Sequence, residues 1–391
     1  MNEMTGAGLH RRQSLRWVGA VLATGALSAR AAPQTLLKVG PQRPVKSLAS
    51  AAKLAVDGML IEVDAGDYVG DAAAWTQNDL SLKAVGGRVR VISSGVTVQG
   101  KGLFVTTGER MRIEGFDFSG AFVPDRNGAG IRLERGSLHL LDCSFKDNEN
   151  GVLTSNDPTI RLEIDDCEFG TIVRRDGQNH NCYVGAIAYL RVTGSYFHHG
   201  QAGHLLKSRA RVNHIFYNRL SDEIGGAASY ELEFPNGGQA LVVGNLIQQG
   251  SGTENPHLVS FGIEGYTWPG QALHLINNTL IDLRPSSGVY LRVSPGPAQV
   301  RVINNVLAGN PVFNIGGHWE ARNNFIVELN AFVLASRGDY GLKPDAKLRG
   351  KAIDPGAADG LSLLPTRQFQ YPRGTRALTT PAQHPGAFQF P

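Results

Sequence analysis

The sequence lacks the features that would place it in several common classes. It has 3 cysteines in 391 residues, Cys143, Cys167 and Cys182, an odd count without metal-ligand spacing. That argues against a disulfide scaffold and against a structural zinc site. Charged residues make up only 18% of the chain, and the net charge of +4 includes no run of Lys or Arg. A nucleic-acid partner is therefore not expected, because its phosphates need a concentrated basic face. The mild positive balance suits an anionic polymer. Beyond the N-terminus no apolar stretch approaches the roughly 20 residues of a bilayer-spanning helix. Glycine, at 48 residues, is abundant, and with the modest charge this is unlike a disordered chain.

The first residues read as an address. Arg11 and Arg12 are adjacent, Leu15 comes next, an apolar run extends from Trp17 to Leu27, and Ala29-Arg30-Ala31 ends in small residues. The run is too short for a membrane anchor. A charged start, a short apolar core and an Ala-x-Ala site predict a Tat-like signal over residues 1–31 and delivery to the periplasm or the exterior.

A repeat organises the rest of the chain. Short strands with period-two alternation end in a bend and then an apolar anchor, at Phe118, Phe145, Phe169, Phe197, Leu220, Ile247, Leu280, Leu307 and Ile326. Successive anchors lie 19 to 33 residues apart, too irregular for a helical repeat and too long for hairpins. The pattern predicts an all-β fold, a right-handed parallel β-helix solenoid over residues 32–332. Asn218, Asn245, Asn278, Asn305 and Asn324 stand at the bends, where asparagine tolerates left-handed backbone and can bond along the stack. Cys143 and Cys167 hold one place on consecutive coils and read, with Cys182, as packing residues. Residues 47–56 predict a short N-terminal capping helix, since an open stack exposes its core. Residues 333–391 lose the alternation and read as a tail packed on the solenoid.

In such a fold chemistry must sit on outward side chains. Alternation places Glu231 and Glu233 outward in YELEF, Tyr290 and Arg292 in VYLRV, Asn181 and Tyr183 in NHNCYVG, and Leu205, Lys207 and Arg209 in LLKSR. Measured from their anchors, Tyr183, Lys207, Glu233 and Arg292 occupy similar places on successive coils, with Arg132 extending the row. His180, His204, Arg211, Glu254 and His257 lie beside it, while alternation turns Tyr230 inward. Charges on an exposed sheet are ordinary one at a time, but this clustering of Lys, Arg, Tyr, His and Glu reads as a site.

GHLLKSRARVNHIFYNRL, followed one coil later by SYELEFPNGGQALVVGNLI, resembles the alginate lyase and chondroitinase B family of β-helical polysaccharide lyases. The resemblance rests on Lys207-Ser208 and Asn213-x-Ile215-x-x-Asn218, about 45 residues in all, while the capping helix and coils resemble the wider pectin-lyase-like superfamily. It implies that Lys207 removes the C5 proton of a uronic acid. Where the family has an arginine on the following coil, this chain has Tyr230 to Phe234, and the acidic cluster that holds calcium in many relatives is not evident. Glu231 and Glu233 could instead hold a cation, so calcium stays open as a cofactor.

These readings converge on an exported, monomeric lyase that cleaves a uronate-containing polysaccharide by β-elimination. Lys207 would be the base, Tyr183 or His204 the acid or partner base, and Arg209 with Arg211 the carboxylate neutralisers. His180, Asn181, Tyr230, Glu233, Glu254, His257 and Arg292 would bind the chain. Epimerisation at C5 shares the first step. The rival readings are a glycoside hydrolase using Glu231, Glu233 or Glu254, and a non-catalytic carbohydrate-binding β-helix protein of the periplasm. Replacing Arg11 and Arg12 together by Lys is expected to block export, measured by fractionation, and normal delivery would overturn the Tat assignment.

Overall fold

The computed structural model describes residues 35–172 and 176–389, so the signal predicted over residues 1–31 lies outside it. From Leu36 to Val327 the chain climbs in parallel coils, each strand pairing with its counterpart one coil on, and three antiparallel strand pairs follow, beginning with Phe332–Leu334 and Asp339–Leu342. One continuous sheet has ten strands: Ala73–Trp75, Gly102–Thr106, Ala129–Leu133, Asn150–Thr154, Cys182–Val184, His204–Ser208, Tyr230–Phe234, His257–Phe261, Val289–Val293 and Val312–Ile315. Two further strands complete each coil, as Val212–Phe216 and Arg219–Ser221 do for one and Gln239–Val243 and Leu246–Gln249 for the next.

All nine anchors fall in one column, from Phe118 paired with Phe145 to Leu307 paired with Ile326. Parallel pairing in register requires this, because each anchor must cover the one below. Phe118, Phe145, Phe169 and Phe197 stack with ring centroids 5.2, 4.7 and 4.6 Å apart. Offset stacks of this kind add to the area they bury.

The bends are held by a polar ladder. The backbone N–H of Asn218 donates to Asn245 Oδ1 at 2.8 Å, and the pattern repeats from Asn245 to Asn278, Asn278 to Asn305 and Asn305 to Asn324. Each amide nitrogen also donates to a carbonyl of the coil below, as Asn245 does to Ile215 at 2.8 Å. Thus the buried bend leaves few groups unpaired. The left-handed residue is not this asparagine but the one before it: Tyr217, Asn277, Asn304 and Asn323 have φ between 51° and 59°. The column continues downward through Ser195, whose N–H donates to Asn218 Oδ1, and Cys167, whose N–H donates to Ser195 Oγ. Cys143 comes next, with its N–H on Cys167 Sγ at 3.4 Å. All three cysteines are unpaired and buried, and two of them are rungs of the ladder.

At the N-terminus the helix Leu48–Leu54 is capped by Ser47, which accepts from Ser50 N–H, and by Asp71, which accepts from the N–H groups of Leu48 and Ala49. A side-chain oxygen at a helix start satisfies donors that have no partner within the helix. Leu48 and Ala51 enter the core. At the other end Phe332, Tyr340, Leu342 and Leu348 pack on Leu246, Ile281, Val306 and Ala308, and Leu363 packs on Leu241, Val243, Ile276 and Ile303. Among the described residues neither cluster includes a residue of the ten-stranded sheet.

That sheet departs from strict alternation at one place per coil. Ladder pairing skips the second residue of successive strands, as between His204–Tyr230 and Leu206–Leu232, and two consecutive side chains then face inward. A Cβ on Gly130 would lie 2.8 Å from the Phe145 ring, and one on Gly151 2.8 Å from Phe169, so this position points into the core. Leu205, Asn181, Glu231 and Tyr290 share it, and the expectation that they face outward is wrong. Asn181 is buried, and its amide donates to the carbonyls of Phe169 and His198. Tyr290 donates to Ala308 O. Glu231 is wholly buried, with neither carboxyl oxygen hydrogen-bonded among the described residues. Burial, then the nearby charge of Asp222, pushes its pKa well up, and burial raises Asp222 to about 7.

Asn245→Ala removes an acceptor and a donor from a sealed column and is expected to cost roughly 2–4 kcal/mol, read as a lower urea midpoint; Asn324→Ala, half-buried on the last rung, should cost clearly less. A carboxyl whose folded pKa is raised stabilises the fold fully only below its unfolded pKa, and that contribution is lost as pH rises. Glu231→Gln should therefore gain melting temperature over the natural protein as pH rises above the ordinary carboxylate range; a pH-independent difference would contradict the raised pKa.

Candidate functional site

The outward column of the ten-stranded sheet reads Val105, Arg132, Leu153, Tyr183, Lys207, Glu233, Ser260, Arg292 and Asn314, each in register with the next. Tyr183, Lys207 and Glu233 are thus consecutive, about 4.8 Å apart along the stack. Ser260 separates Glu233 from Arg292, and Leu153 separates Tyr183 from Arg132. Arg132 is held locally by Glu134 at 2.6 Å.

At the centre lies a network of charges. Lys207 Nζ contacts Glu233 Oε2 at 3.1 Å and Glu264 Oε1 at 3.2 Å. Arg209 contacts Glu264 Oε2 at 2.7 Å, and its Nε donates to the Tyr183 hydroxyl at 3.0 Å. Glu233 is 1% exposed and also meets His204 Nδ1 at 3.1 Å. Burial opposes ionisation of Glu233, but His204 and Lys207 more than offset it and hold the carboxyl below its usual range. A buried carboxylate needs such partners, since alone it would take up a proton. Glu264 is likewise lowered: burial opposes ionisation, and Arg209 and Lys207 outweigh it.

Beside the charges runs a tier of rings. His180 and His204 lie 4.6 Å apart, Tyr183 meets His180 edge-on at 5.2 Å, Tyr230 meets His204 edge-on at 5.0 Å, and His257 stacks on Tyr230 at 5.7 Å. His204 N–H donates to His180 Nδ1 at 2.9 Å, which requires that nitrogen to be unprotonated. Burial drives His180 well below its ordinary pKa, and neighbouring His204, Lys207 and Arg209 add to this. Burial also lowers His204, although Glu233 pulls the other way.

Lys207, Tyr183, Arg209, Glu233, His204, His180, Tyr230 and His257 therefore come together; Tyr230, expected to face inward, is half-buried between His204 and His257 because the break in alternation falls at the next residue. Arg211 is exposed at the corner beyond the sheet, and Glu254 lies with Thr253, Asn255 and Gln201 around a separate pocket of about 470 Å³. Among the described residues no hydrogen bond or ion pair joins Arg211, Glu254 or Arg292 to the cluster. The carboxylates named for a hydrolase do not share one face, because Glu231 points inward, Glu233 outward and Glu254 lies on a loop. The same opposition of Glu231 and Glu233 does not fit a calcium cage. Among the described residues no three His, Cys, Asp or Glu side chains are grouped to hold a metal.

Glu264 and Asn236 are the members that alternation could not supply. They sit in turns after their strands and reach back, Glu264 to Lys207 and Arg209, and Asn236 to accept from Arg209 Nη1. The only sequence signal is a carboxylate flanked by turn glycines, Gly262 and Gly265.

No protein-family model and no curated protein sequence matches the chain. Among solved structures, pectate lyase Pel9A superimposes with a TM-score of 0.59 at 12% identity, covering 91% of this chain and 97% of that one. An alginate lyase from Paenibacillus sp. str. FPU-7 gives 0.46 at 13% identity, covering 71% and 95% respectively. Identity this low speaks to the fold alone. Coil register and superposition agree that this chain is a parallel β-helix, the fold it shares with Pel9A.

Proposed function

We propose that this protein is an exported lyase that cleaves a uronate-containing polysaccharide by β-elimination. The observation that carries the reading is the meeting of an amine, a phenol and a guanidinium at Lys207, Tyr183 and Arg209 on an open sheet face. Elimination needs a base for the C5 proton, an acid for the leaving oxygen and a cation for the sugar carboxylate. Pel9A, a pectate lyase by name, shares the fold and is consistent with the assignment.

In the proposed step Lys207, an ammonium while paired with Glu233 and Glu264, first passes a proton to the Glu233 carboxylate. The amine so formed takes the proton from C5, and Arg209 balances charge spreading onto the sugar carboxylate. The electron pair forms the C4–C5 double bond as the C4–O bond breaks. The departing oxygen takes the proton of Tyr183, whose hydroxyl already accepts from Arg209 and so keeps its hydrogen for donation. Glu233 positions Lys207 and is itself held by His204. A sugar with an unsaturated end is then released; return of the proton to the other face of C5 would give epimerisation instead.

Lys207→Ala should keep the fold, since the side chain is outside the core, yet lower turnover by about 10² to 10⁴. Lys207→Arg should fail almost as badly, because a guanidinium keeps its proton at working pH. The measurement is absorbance of unsaturated ends over a panel of uronate polymers, with proton exchange at C5 tracked in parallel for epimerisation. Near-natural turnover in Lys207→Ala would end the assignment of the base. A product without unsaturation, dependent on Glu233, would favour the hydrolase.

A further inference from the structure

The cations of this site are already neutralised before any substrate arrives. Lys207 and Arg209 carry two positive charges, Glu233 and Glu264 two negative ones, and burial keeps His180 and His204 low in charge. The two carboxylates differ in their freedom. Glu233 is 1% exposed and meets both Lys207 and His204. Glu264 is 43% exposed, and among the described residues its carboxylate meets only the two cations, one oxygen on each.

The backbone under Glu264 is pinned. Its N–H donates to Pro235 O at 2.9 Å, Gly265 N–H donates to Gly262 O at 3.0 Å, and Asn236 Nδ2 donates to Gly265 O at 3.2 Å. Downstream, Tyr266 is tied to Ser294 O and the Trp268 indole donates to Arg209 O at 3.0 Å. What can move is the side chain alone. Exposed ion pairs are weak and give way easily to competing ions.

A carboxylate bridging an ammonium and a guanidinium on the open face occupies the place a sugar carboxylate would need. We propose that Glu264 holds the carboxylate subsite in the absence of substrate and is exchanged, one for one, for a uronate carboxylate. The ligand class rests on the lyase reading above. With Glu264 swung out, one positive charge is uncompensated, and a single uronate restores the balance. An esterified or neutral sugar brings no charge to displace it, so Glu264 makes the site selective for the free acid. It is a specificity-determining residue, distinct from the base and acid.

The test needs a readout independent of turnover. Calorimetric titration with sodium glucuronate, galacturonate and mannuronate, and with their methyl esters, is run on the natural protein, Glu264→Gln and Glu264→Ala. Melting curves check that each is folded. Removal of the resident charge should tighten binding of at least one free acid by about fivefold in both variants, the scale of an exposed ion pair. Ester binding should not tighten with it. Unchanged or weaker binding of the acids, equal tightening of the esters, or no uronate binding to any of the three proteins would overturn the exchange. Tightened acid binding with no unsaturated product from any polymer supports the exchange and sinks the lyase. Unsaturated product from the natural protein with unchanged acid affinity and KM in both variants keeps the lyase and sinks the exchange.

Discussion

Hydrogen bonding along the axis, coil to coil in register, is the constraint on which the rest of this molecule depends. A parallel coil cannot satisfy its backbone within itself, so every strand and every bend must find its partner one coil up or down. The ladder from Cys143 through Ser195 to Asn324 meets this requirement at the tightest bend, where a short polar side chain supplies both an acceptor and a donor. The early rungs do the same with smaller side chains: Ser195 Oγ accepts from Cys167 N–H and donates to Thr193 O, and Cys167 Sγ accepts from Cys143 N–H and donates to Asp165 O. Once register is fixed at the bends, the position of every outward side chain is fixed with it.

That register assembles the site. Tyr183, Lys207 and Glu233 are 24 and 26 residues apart in the chain yet sit side by side, because each coil returns the strand to the same face. The C-terminal segment packs on the outer faces of the other strands, where it adds apolar burial without masking the charged column. Among the contacts of this face, those of Glu233 fix its geometry and those of Glu264 balance its charge. The buried member holds Lys207 against His204, and the exposed one can leave.

The interior also has a polar corner of a different character. Glu231 and Asp222 are buried carboxyls with raised pKa values, whereas Glu233, two residues from Glu231, is lowered. The difference lies in partners rather than depth. Glu233 faces an ammonium and an imidazole, while Glu231 feels the acids Asp222 and Asp282 and, least, the Arg284 guanidinium. Two carboxyls two residues apart on one strand thus have their pKa values driven in opposite directions by which side of the sheet they occupy.

The coil repeat, the anchor column, the bend asparagines, the capping helix and the outward row through Tyr183, Lys207, Glu233 and Arg292 were all legible in the order of residues. Each is periodic or local, and parallel stacking converts equal offsets into neighbours. Which residue of each bend is left-handed was not legible, because Gly244, Asn277, Asn304 and Asn323 compete with the asparagine after each, and Tyr217 carries no signal for that conformation at all. Nor could residue order show that Asn181, Glu231 and Tyr290 turn inward, since the break in alternation is a property of how each strand rounds the corner onto the sheet. It took the folded chain to bring Glu264 and Asn236 to Lys207 and Arg209 and to leave Arg211 and Glu254 outside. Those contacts depend on the paths of turns, which obey no period and are set by what the coils beneath them leave open.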